Sequence, residues 1–322
     1  MINRKQFLGL AAASLALPAL NPAHAQGRPL EWVVGYAAGG GSDVVARTVA
    51  EAMGRSLNRP IVINNKPGAG TNIAADYVAR SKDYGNLVFT ADFATLAANP
   101  FLFSKLSYDA QKAFQPVGLL VRFPLFLVVG AQVPADDFKG FAAWARAQKD
   151  PVSWGSAGPG SPHHLVGELF REQTGLALQH VPYRGAAPAM QDVLAGQIPA
   201  MWIDSATLLP FLAGKKVKVI GVASAKRLDL LPEVPTFAEQ GLKNFEGYAW
   251  QGLVVPTGTP PEATAAFADA LQQALAATPV RARLQALGVE PMPGTPEQMA
   301  RFAAAEREKW GAVIQRAGVR LD

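Results

Sequence analysis

The residues best suited to chemistry lie in four short segments that are rich in Gly, Ser and Asn, each between a β-like run and a helix-like run. The segments span residues 37–43, 66–72, 156–164 and 183–188. In open α/β sheets such junctions lie at the carboxyl ends of the strands, where ligands bind. Each junction presents the unpaired N–H groups of a helix N-terminus, which attract anions, and glycine lets a ligand approach the backbone closely. Four such segments in one chain predict an anion-binding cleft between two lobes.

The patterns that mark common enzymes do not occur in these segments. Residues 39–44 are neither a dinucleotide-binding G-x-G-x-x-G nor a phosphate-binding P-loop. Ser42, Ser156 and Ser161 do not lie in a G-x-S-x-G turn. The chain has no cysteine, which excludes thiol catalysis and cysteine-bound metals. We therefore predict no catalytic residue. A triad assembled from distant residues would leave no such pattern, so a periplasmic hydrolase or another enzyme, such as a nucleotide-dependent one, using the same cleft is the second hypothesis.

His164 and Glu168 have a spacing that suits a metal ion, because residues four apart share one face of a helix. A catalytic zinc site typically takes three protein ligands, and no H-E-x-x-H is present. The adjacent His163 points in another direction on a helix. We therefore favour a histidine at a helix start over a metal ligand, and we predict no metal and no cofactor. His180, at the end of a β-like run, is expected to be structural.

The N-terminus has the pattern of a secretory signal peptide. Residues 1–25 combine a basic start, an apolar run over 7–20 and the small-x-small exit Ala23-His24-Ala25, so we expect cleavage after Ala25. The apolar run is shorter than the roughly 20 residues that span a bilayer, and Pro18 and Pro22 would break a buried helix. A twin-arginine pair is absent, which favours general secretion over twin-arginine export. The prediction is a periplasmic protein.

Composition and charge exclude two further classes of protein. The 322 residues are 49% hydrophobic and 17% charged, which excludes a disordered chain. The formal charge is +5, and the two basic residues of the signal peptide leave +3 for the mature chain. So small a charge, without a run of Lys or Arg, predicts that the protein binds no nucleic acid.

Short β-like runs alternate with helix-like runs, which predicts an α/β fold. The predicted strands span 31–36, 61–64, 87–91, 117–121, 126–129, 152–155, 178–182, 200–204, 217–224 and 252–255. The predicted helices span 42–57, 72–81, 140–149, 164–175, 187–196 and 207–214, with three more in the C-terminal third. Two stretches, 120–129 and 248–256, have the composition expected where a chain passes from one lobe to the other. They predict one lobe from 27–124 plus 250–322 and an inserted lobe from 125–249.

A series of short motifs extends over nearly all of the mature chain. They are Gly39-Gly40 to Arg47, Asn65 to Gly70, Asn99-Pro100, Ser156-Ala157-Gly158, His180 to Gly185, Ala213-Gly214-Lys215, Arg227 with Leu231 to Thr236, Glu239 to Leu242 and Trp250 to Leu253. Each motif alone is weak, but their order and spacing are specific. In these motifs the chain resembles the Bug family, the extracytoplasmic solute receptors of tripartite tricarboxylate transporters.

The resemblance implies an α/β, type II periplasmic-binding-protein fold with two α/β lobes around a ligand cleft. It implies a non-enzymatic, monomeric receptor that captures a small organic carboxylate and delivers it to membrane permease subunits. A sensor that reports the ligand to a signalling partner is the alternative. In this family main-chain amides of the Gly-rich loops and ordered waters hold the carboxylate, rather than an arginine. The chain departs from the family pattern at Ala38, where proline is usual, and at 82–85, where a Pro-Asp-Gly-Tyr turn is usual.

The predicted ligand-binding residues come from the Gly-rich segments and from the end of the 200–204 strand. They are Tyr36, Gly39, Gly40, Ser42, Asp43, Ala69, Gly70, Asn72, Ser156, Ala157, Gly158, Ser161, His164, Arg184, Gly185, Asp204 and Ser205.

Five of these residues carry a more specific expectation. Asp43 should cap its own helix and order the loop, since its carboxylate would repel an anion. Arg184 either contacts the ligand or forms a surface salt bridge. For Asp204 a helix cap competes with a place in the pocket, where it would oppose a second ligand carboxylate; we favour the pocket. Valine at Gly40 or Gly158 should weaken binding and leave the melting temperature nearly unchanged.

Overall fold

The structure is a computed structural model that describes residues 28–212, 214 and 216–322, so the predicted signal peptide, 1–25, lies outside the described residues. The strands are β1 (Leu30–Val34), β2 (Ile61–Asn65), β3 (Leu87–Asp92), β4 (Phe114–Gly130), β5 (Val152–Ser156), β6 (Leu178–Pro182), β7 (Ala200–Asp204), β8 (Val217–Val222), β9 (Tyr248–Pro256) and β10 (Glu290–Pro291). The α-helices are α1 (Gly41–Ser56), α2 (Asn72–Ala79), α3 (Asn99–Leu102), α4 (Phe138–Arg146), α5 (Pro162–Thr174), α6 (Ala186–Leu194), α7 (Ser205–Leu212), α8 (Pro261–Ala276), α9 (Thr278–Ala286) and α10 (Pro296–Ala317).

Two sets of parallel strands flank a central antiparallel pair, in the order β2-β1-β3-β9-β4-β7-β5-β6. β1 runs parallel to β2 and β3, and β5 runs parallel to β6 and β7. The long strand β4 joins the two sets: up to Pro124 it pairs with β9, and from Leu125 onward it pairs with β7 and β8. Two α/β lobes result, with the carboxyl ends of both parallel sets facing one cleft. The predicted type II periplasmic-binding-protein fold is confirmed.

The last helix, α10, supports the cleft from behind. Thr295 and Gln298 form a capping box at its start, and Gly318, with φ of 67°, ends it. Trp310 is buried on its apolar face and packs edge-on against Phe93, with ring centroids 5.3 Å apart. Glu306 interrupts that face, but one of its oxygens accepts hydrogen bonds from the indole N–H groups of Trp250 and Trp310, both at 2.9 Å.

The structure differs from the sequence expectations in three places. The predicted strands 117–121 and 126–129 are parts of the single strand β4. Pro124 is tolerated there because it lies where pairing with β9 ends, opposite Tyr248, so its missing N–H removes no needed hydrogen bond. The buried π-helical turn Ala94–Ala98 with α3 was not predicted, and neither was the two-residue strand β10. No helix within the described ranges has both the length and the apolar character to cross a membrane.

Candidate functional site

A cavity of about 620 Å³ lies between the two lobes. Nine of the seventeen predicted residues line it, namely Tyr36, Gly39, Ser42, Gly70, Ala157, Gly158, Ser161, Gly185 and Asp204. The other eight do not, namely Gly40, Asp43, Ala69, Asn72, Ser156, His164, Arg184 and Ser205. The unpredicted lining residues are Gly41, Val44, Asp92, Phe93, Ala94, Asn99, Leu102, Phe123, Pro159, Gly160, Pro162, His163, Ala206, Thr207, Ala249, Trp250, Gln251, Leu287, Val289 and Leu321.

The N-terminus of α1 opens into the cavity without a side-chain cap. Its N-cap is Gly40, in extended conformation, which supplies no side-chain cap, and no side chain among the described residues accepts a hydrogen bond from the first turn. Gly41 and Ser42 line the cavity. Because the first N–H groups of a helix have no partner within it, this end presents unpaired donors and the positive end of the helix dipole to the cavity.

Asp43 organises the loop that leads into α1 and lies outside the cavity wall. Its buried carboxylate accepts hydrogen bonds from the Gly39 N–H, the Arg47 Nε and the Asn65 Nδ2, each at 2.9 Å. Burial desolvates the carboxylate, but these hydrogen bonds outweigh that effect and lower the pKa of Asp43. The expectation that Asp43 orders the loop matches this geometry. The expectation that it is the N-cap is wrong, because Gly40 occupies that position.

The second Gly-rich loop is held by Asn99, which the predicted site omitted. The loop passes through a left-handed stretch, with φ of 48° at Ala69, 58° at Gly70 and 74° at Thr71. Asn99 Nδ2 donates to the Gly70 carbonyl and to Asn72 Oδ1, both at 2.7 Å. The side chain of Asn72 is therefore occupied within the protein. The Asn99-Pro100 motif was the sequence signal that could have identified this residue.

The partly buried Tyr36 and the buried Asp92 form a hydrogen-bonded pair at the carboxyl ends of β1 and β3. The Tyr36 hydroxyl donates to Asp92 Oδ2, while the backbone N–H and the hydroxyl of Thr95 donate to Asp92 Oδ1, both at 2.9 Å. Burial and the adjacent carboxylate raise the pKa of Tyr36 well above its ordinary value. The Asp92 oxygens are thus satisfied inside the protein, so this carboxylate needs no ligand partner.

The two adjacent histidines at the start of α5 separate into different environments. His164 turns into the protein and stacks on His180, whereas His163 lines the cavity. His163 Nε2 lies 3.2 Å from Asp204 Oδ2, and its other ring nitrogen is buried with no partner among the described residues. The prediction placed His164 in the binding set. The structure places His163 in the cavity wall instead, because the 100° step between neighbouring helical residues allows one of the two to face the cleft.

Asp204 combines the two roles that the sequence left in competition. It lines the cavity, and it also accepts hydrogen bonds from the Thr207 N–H at 2.9 Å and the Thr207 hydroxyl at 2.8 Å. Burial opposes ionisation, but the hydrogen bonds from His163 and Thr207 hold the pKa of Asp204 below its ordinary value. The cavity therefore contains an ionised carboxylate at the start of α7.

Gln251 of β9 adds an amide to the cavity beside α1. Its Nε2 donates to the Ser42 hydroxyl, and its Oε1 is buried without a partner among the described residues. Amide oxygen and nitrogen are interchangeable in such an assignment, and a hydroxyl accepts or donates equally well. A ligand carboxylate at α1 can therefore meet the free end of this amide as a donor.

Backbone and amide dipoles, rather than Lys or Arg side chains, supply the positive potential of the described wall, which also contains the Asp204 carboxylate. None of the described residues that line the cavity is a Lys or Arg. Arg184 is exposed and lies outside the wall. Anion binding in this cavity therefore relies on hydrogen-bond donors other than Lys or Arg side chains, among them the N–H groups at the uncapped α1 N-terminus.

The same geometry gives little support to catalysis. Ser156 Oγ lies 2.6 Å from His180 Nε2, the distance expected of a nucleophile and its base. However, Ser156 is fully buried, lies outside the cavity wall and also bonds to Gly158, so no substrate atom can reach its hydroxyl. Across the described part of the chain, no group of three or more His, Asp or Glu side chains could hold a metal ion.

The chain is similar in sequence and structure to known solute receptors. The family described as tripartite tricarboxylate transporter family receptor matches residues 45–319. The protein BugT of Bordetella pertussis is 30% identical over 313 residues, which cover 97% of this chain and 96% of BugT. The periplasmic binding protein BugD aligns with a TM-score of 0.79 and 33% identity, covering 91% of this chain and 99% of BugD. A protein from R. palustris solved with adipate aligns with a TM-score of 0.83 and 30% identity, over 91% and 99% of the two chains.

Proposed function

The chain belongs to the family of tripartite tricarboxylate transporter receptors, the Bug family that its motifs predicted, and from this membership we propose that it captures a small organic carboxylate and delivers it to the permease subunits of a membrane transporter. Solute binding is the function of the family. The structure of one neighbour, the protein from R. palustris, was solved with adipate, a small dicarboxylate. The observation that carries the carboxylate assignment is the uncapped N-terminus of α1, which opens into a cavity whose described wall has no Lys or Arg.

We propose that the carboxylate is anchored by the N–H groups of Gly41 and Ser42, with Gln251 and the Gly158 loop completing the site. Four kinds of observation support this anchor: the free donors, the helix dipole, the close backbone approach at glycine and the Gln251 amide, one end of which has no partner among the described residues. Arg184, outside the cavity wall, has no part in this proposal.

The proposed delivery mechanism is closure of two lobes, 27–124 plus 250–322 and 125–249, on the ligand. The change of strand partners within β4, between Pro124 and Leu125, supports a hinge at this place. The protein is proposed to act as a monomer. It is proposed to reach the periplasm through a signal peptide cleaved after Ala25, and the intact mass of periplasmic material, with Gln26 as the first residue, tests this step.

The experiment that tests the carboxylate assignment compares acid with ester. A thermal-shift screen of organic acids identifies the best acid, and calorimetry then measures that acid and its methyl ester. The ester should lose about 1.5–3 kcal/mol of binding free energy, the usual worth of hydrogen bonds to a charged group. Equal affinity for both would contradict an anion site, and hydrolysis of the ester would favour the hydrolase.

A matched pair of variants tests the anchor itself. Gly41→Pro removes one N–H at the first helical position, where proline is favoured, and Gly40 already has the extended conformation that proline requires before it. Gly41→Ala keeps the N–H and adds only a Cβ, which meets Phe123 at 3.6 Å, an ordinary contact. The proline variant should bind the acid more weakly than the alanine variant at equal thermal stability. Equal affinity of the two would remove Gly41 from the anchor.

A further inference from the structure

The cavity has an apolar compartment next to the α1 N-terminus. Phe123 and Val289 belong to one hydrophobic cluster, and Ala206, Ala249 and Leu287 pack against it. All five residues also line the cavity. They come from β4, β9, α7 and the segment between α9 and β10, so both lobes contribute to this compartment.

One end of the compartment adjoins the proposed carboxylate anchor. The Phe123 ring lies 3.6 Å from the position that a Cβ on Gly41 would occupy. A ligand whose carboxylate meets the Gly41 and Ser42 N–H groups therefore places its next carbon atoms against the Phe123 ring. Apolar atoms in that place gain from leaving water, whereas a polar group there finds no partner from these side chains.

Asp204 lines the same cavity and lies near Phe123 in the sheet. Leu125 is the strand partner of Asp204, and Phe123 lies two residues earlier on β4. Diagonal neighbours of this kind are about 7–8 Å apart, so a ligand whose body lies against Phe123 brings its far end close to Asp204. Asp204 is fixed by Thr207 and His163, and a carboxylate this close repels a second anion.

The aromatic wall on the far side of the cavity is rigid. Trp250 lines the cavity, stands edge-on to Phe302 at 5.1 Å and donates its indole N–H to Glu306. Phe93 is held edge-on against Trp310, which donates to the same carboxylate. Because these rings are held by packing and by hydrogen bonds, they cannot move aside to make room for the water molecules around a second charged group.

Building on the carboxylate function proposed above, we propose that the ligand is a monocarboxylate with an apolar body, and that Asp204 excludes dicarboxylates. The carboxylate lies at the α1 N-terminus and the body lies against Phe123, Val289 and Leu287. The far end of the ligand meets Asp204 and Thr207, so it is apolar or carries a hydrogen-bond donor.

Two matched ligand pairs test this assignment by calorimetry on the intact mature protein. Hexanoate and adipate have the same length and differ in one terminal carboxylate, and hexanoate should bind at least tenfold more tightly. Benzoate and acetate share the carboxylate and differ in the body, and benzoate should bind at least tenfold more tightly. Adipate binding as tightly as hexanoate, or acetate as tightly as benzoate, would overturn the inference while leaving the carboxylate receptor in place.

The variant Asp204→Asn tests the excluding group. Asparagine still accepts a hydrogen bond from the Thr207 N–H, so α7 keeps its cap. The preference for hexanoate over adipate should fall at least fivefold. The control Asp136→Asn removes a charge that is 87% exposed on the same lobe and should leave the preference unchanged.

The results separate the two proposals. An unchanged preference in Asp204→Asn, at wild-type stability, would overturn the role of Asp204. If Asp204→Asn is less stable, the affinities for hexanoate and adipate are both calculated per folded protein. Their ratio then still decides the outcome. Methyl benzoate binding as tightly as benzoate would overturn the carboxylate function and this inference together, whereas no binding of hexanoate or benzoate would overturn this inference alone.

Discussion

The imidazole rings of His164 and His180 stack, with ring centroids 3.8 Å apart and planes 14° from parallel. The Gly160 N–H donates to His164 Nδ1 at 3.0 Å, and His180 Nε2 lies 2.6 Å from Ser156 Oγ. Burial lowers the pKa of His164 to about 3, helped by the neighbouring His180, and burial lowers the pKa of His180 to about 4. Two uncharged rings therefore hold the Gly-rich loop that lines the cavity.

We predict that the protein loses stability on mild acidification because of these rings. The unfolded histidines take up a proton near pH 6.5, whereas the folded ones stay neutral until about pH 4 for His180 and pH 3 for His164. Their contribution is therefore complete above pH 6.5 and is lost as the pH falls towards 4. Each histidine adds up to about 1.4 kcal/mol per pH unit to the slope of the free energy of unfolding.

Urea unfolding at several values between pH 7.5 and 4.5 measures that slope. The variant His180→Gln can still bond to Ser156 but does not titrate, so its slope between pH 6 and 4.5 should be smaller than that of the wild type. The comparison rests on slopes, so a general loss of stability in the variant does not affect it. Identical slopes would mean that His180 is not buried as a neutral ring.

A second prediction compares two Asp–Arg pairs with the same i,i+4 spacing. Asp43 lies 2.9 Å from Arg47 and is buried with three hydrogen bonds, whereas Asp76 lies 2.8 Å from Arg80 on the surface. Asp43→Asn should cost about 1.5–3 kcal/mol of unfolding free energy, and Asp76→Asn less than about 0.5 kcal/mol. Denaturant unfolding measures both, and equal costs would contradict the role of Asp43 in ordering its loop.

A third prediction concerns the acceptor shared by two tryptophans. Glu306→Ala leaves the indole N–H groups of Trp250 and Trp310 buried without a partner, at about 1–3 kcal/mol each, so we expect a loss of about 3 kcal/mol. The control Glu308→Ala, on the exposed side of α10, should change stability by less than about 0.5 kcal/mol. Denaturant unfolding followed by tryptophan fluorescence gives both values, and similar losses would show that Glu306 supports neither ring.

The fourth prediction corrects an expectation from the sequence. Gly158 has φ of 134°, and a Cβ there would approach the Tyr183 carbonyl oxygen to 3.1 Å, so a side chain is strained. Gly40 has φ of −75°, and its nearest neighbour, the Ala37 oxygen, would lie at 3.4 Å. Gly158→Ala should therefore cost about 1–3 kcal/mol and Gly40→Ala less than about 1 kcal/mol. Thermal unfolding checks the difference, and equal melting temperatures would contradict it.

Local patterns in the sequence were sufficient for the fold class and for most elements. β6 and β7 have the predicted bounds, and α1, α2 and α6 begin within a residue of their predicted starts. These features depend on hydrophobic period, glycine and proline, which act over a few residues. The same local signals located the Gly-rich loops, and nine residues at the predicted strand ends line the cavity.

The tertiary structure alone decided which other side chains join those loops. Trp250, Gln251 and Val289 reach the cavity through strand pairing and packing between segments far apart in sequence; the motif from Trp250 to Leu253 indicated the family but not that its side chains line the cavity. The choice between His163 and His164 was also tertiary, because the stack with His180 draws one ring into the protein and leaves the other to the cavity. Local spacing determines which residues share a face of a helix, but only long-range packing determines what that face meets.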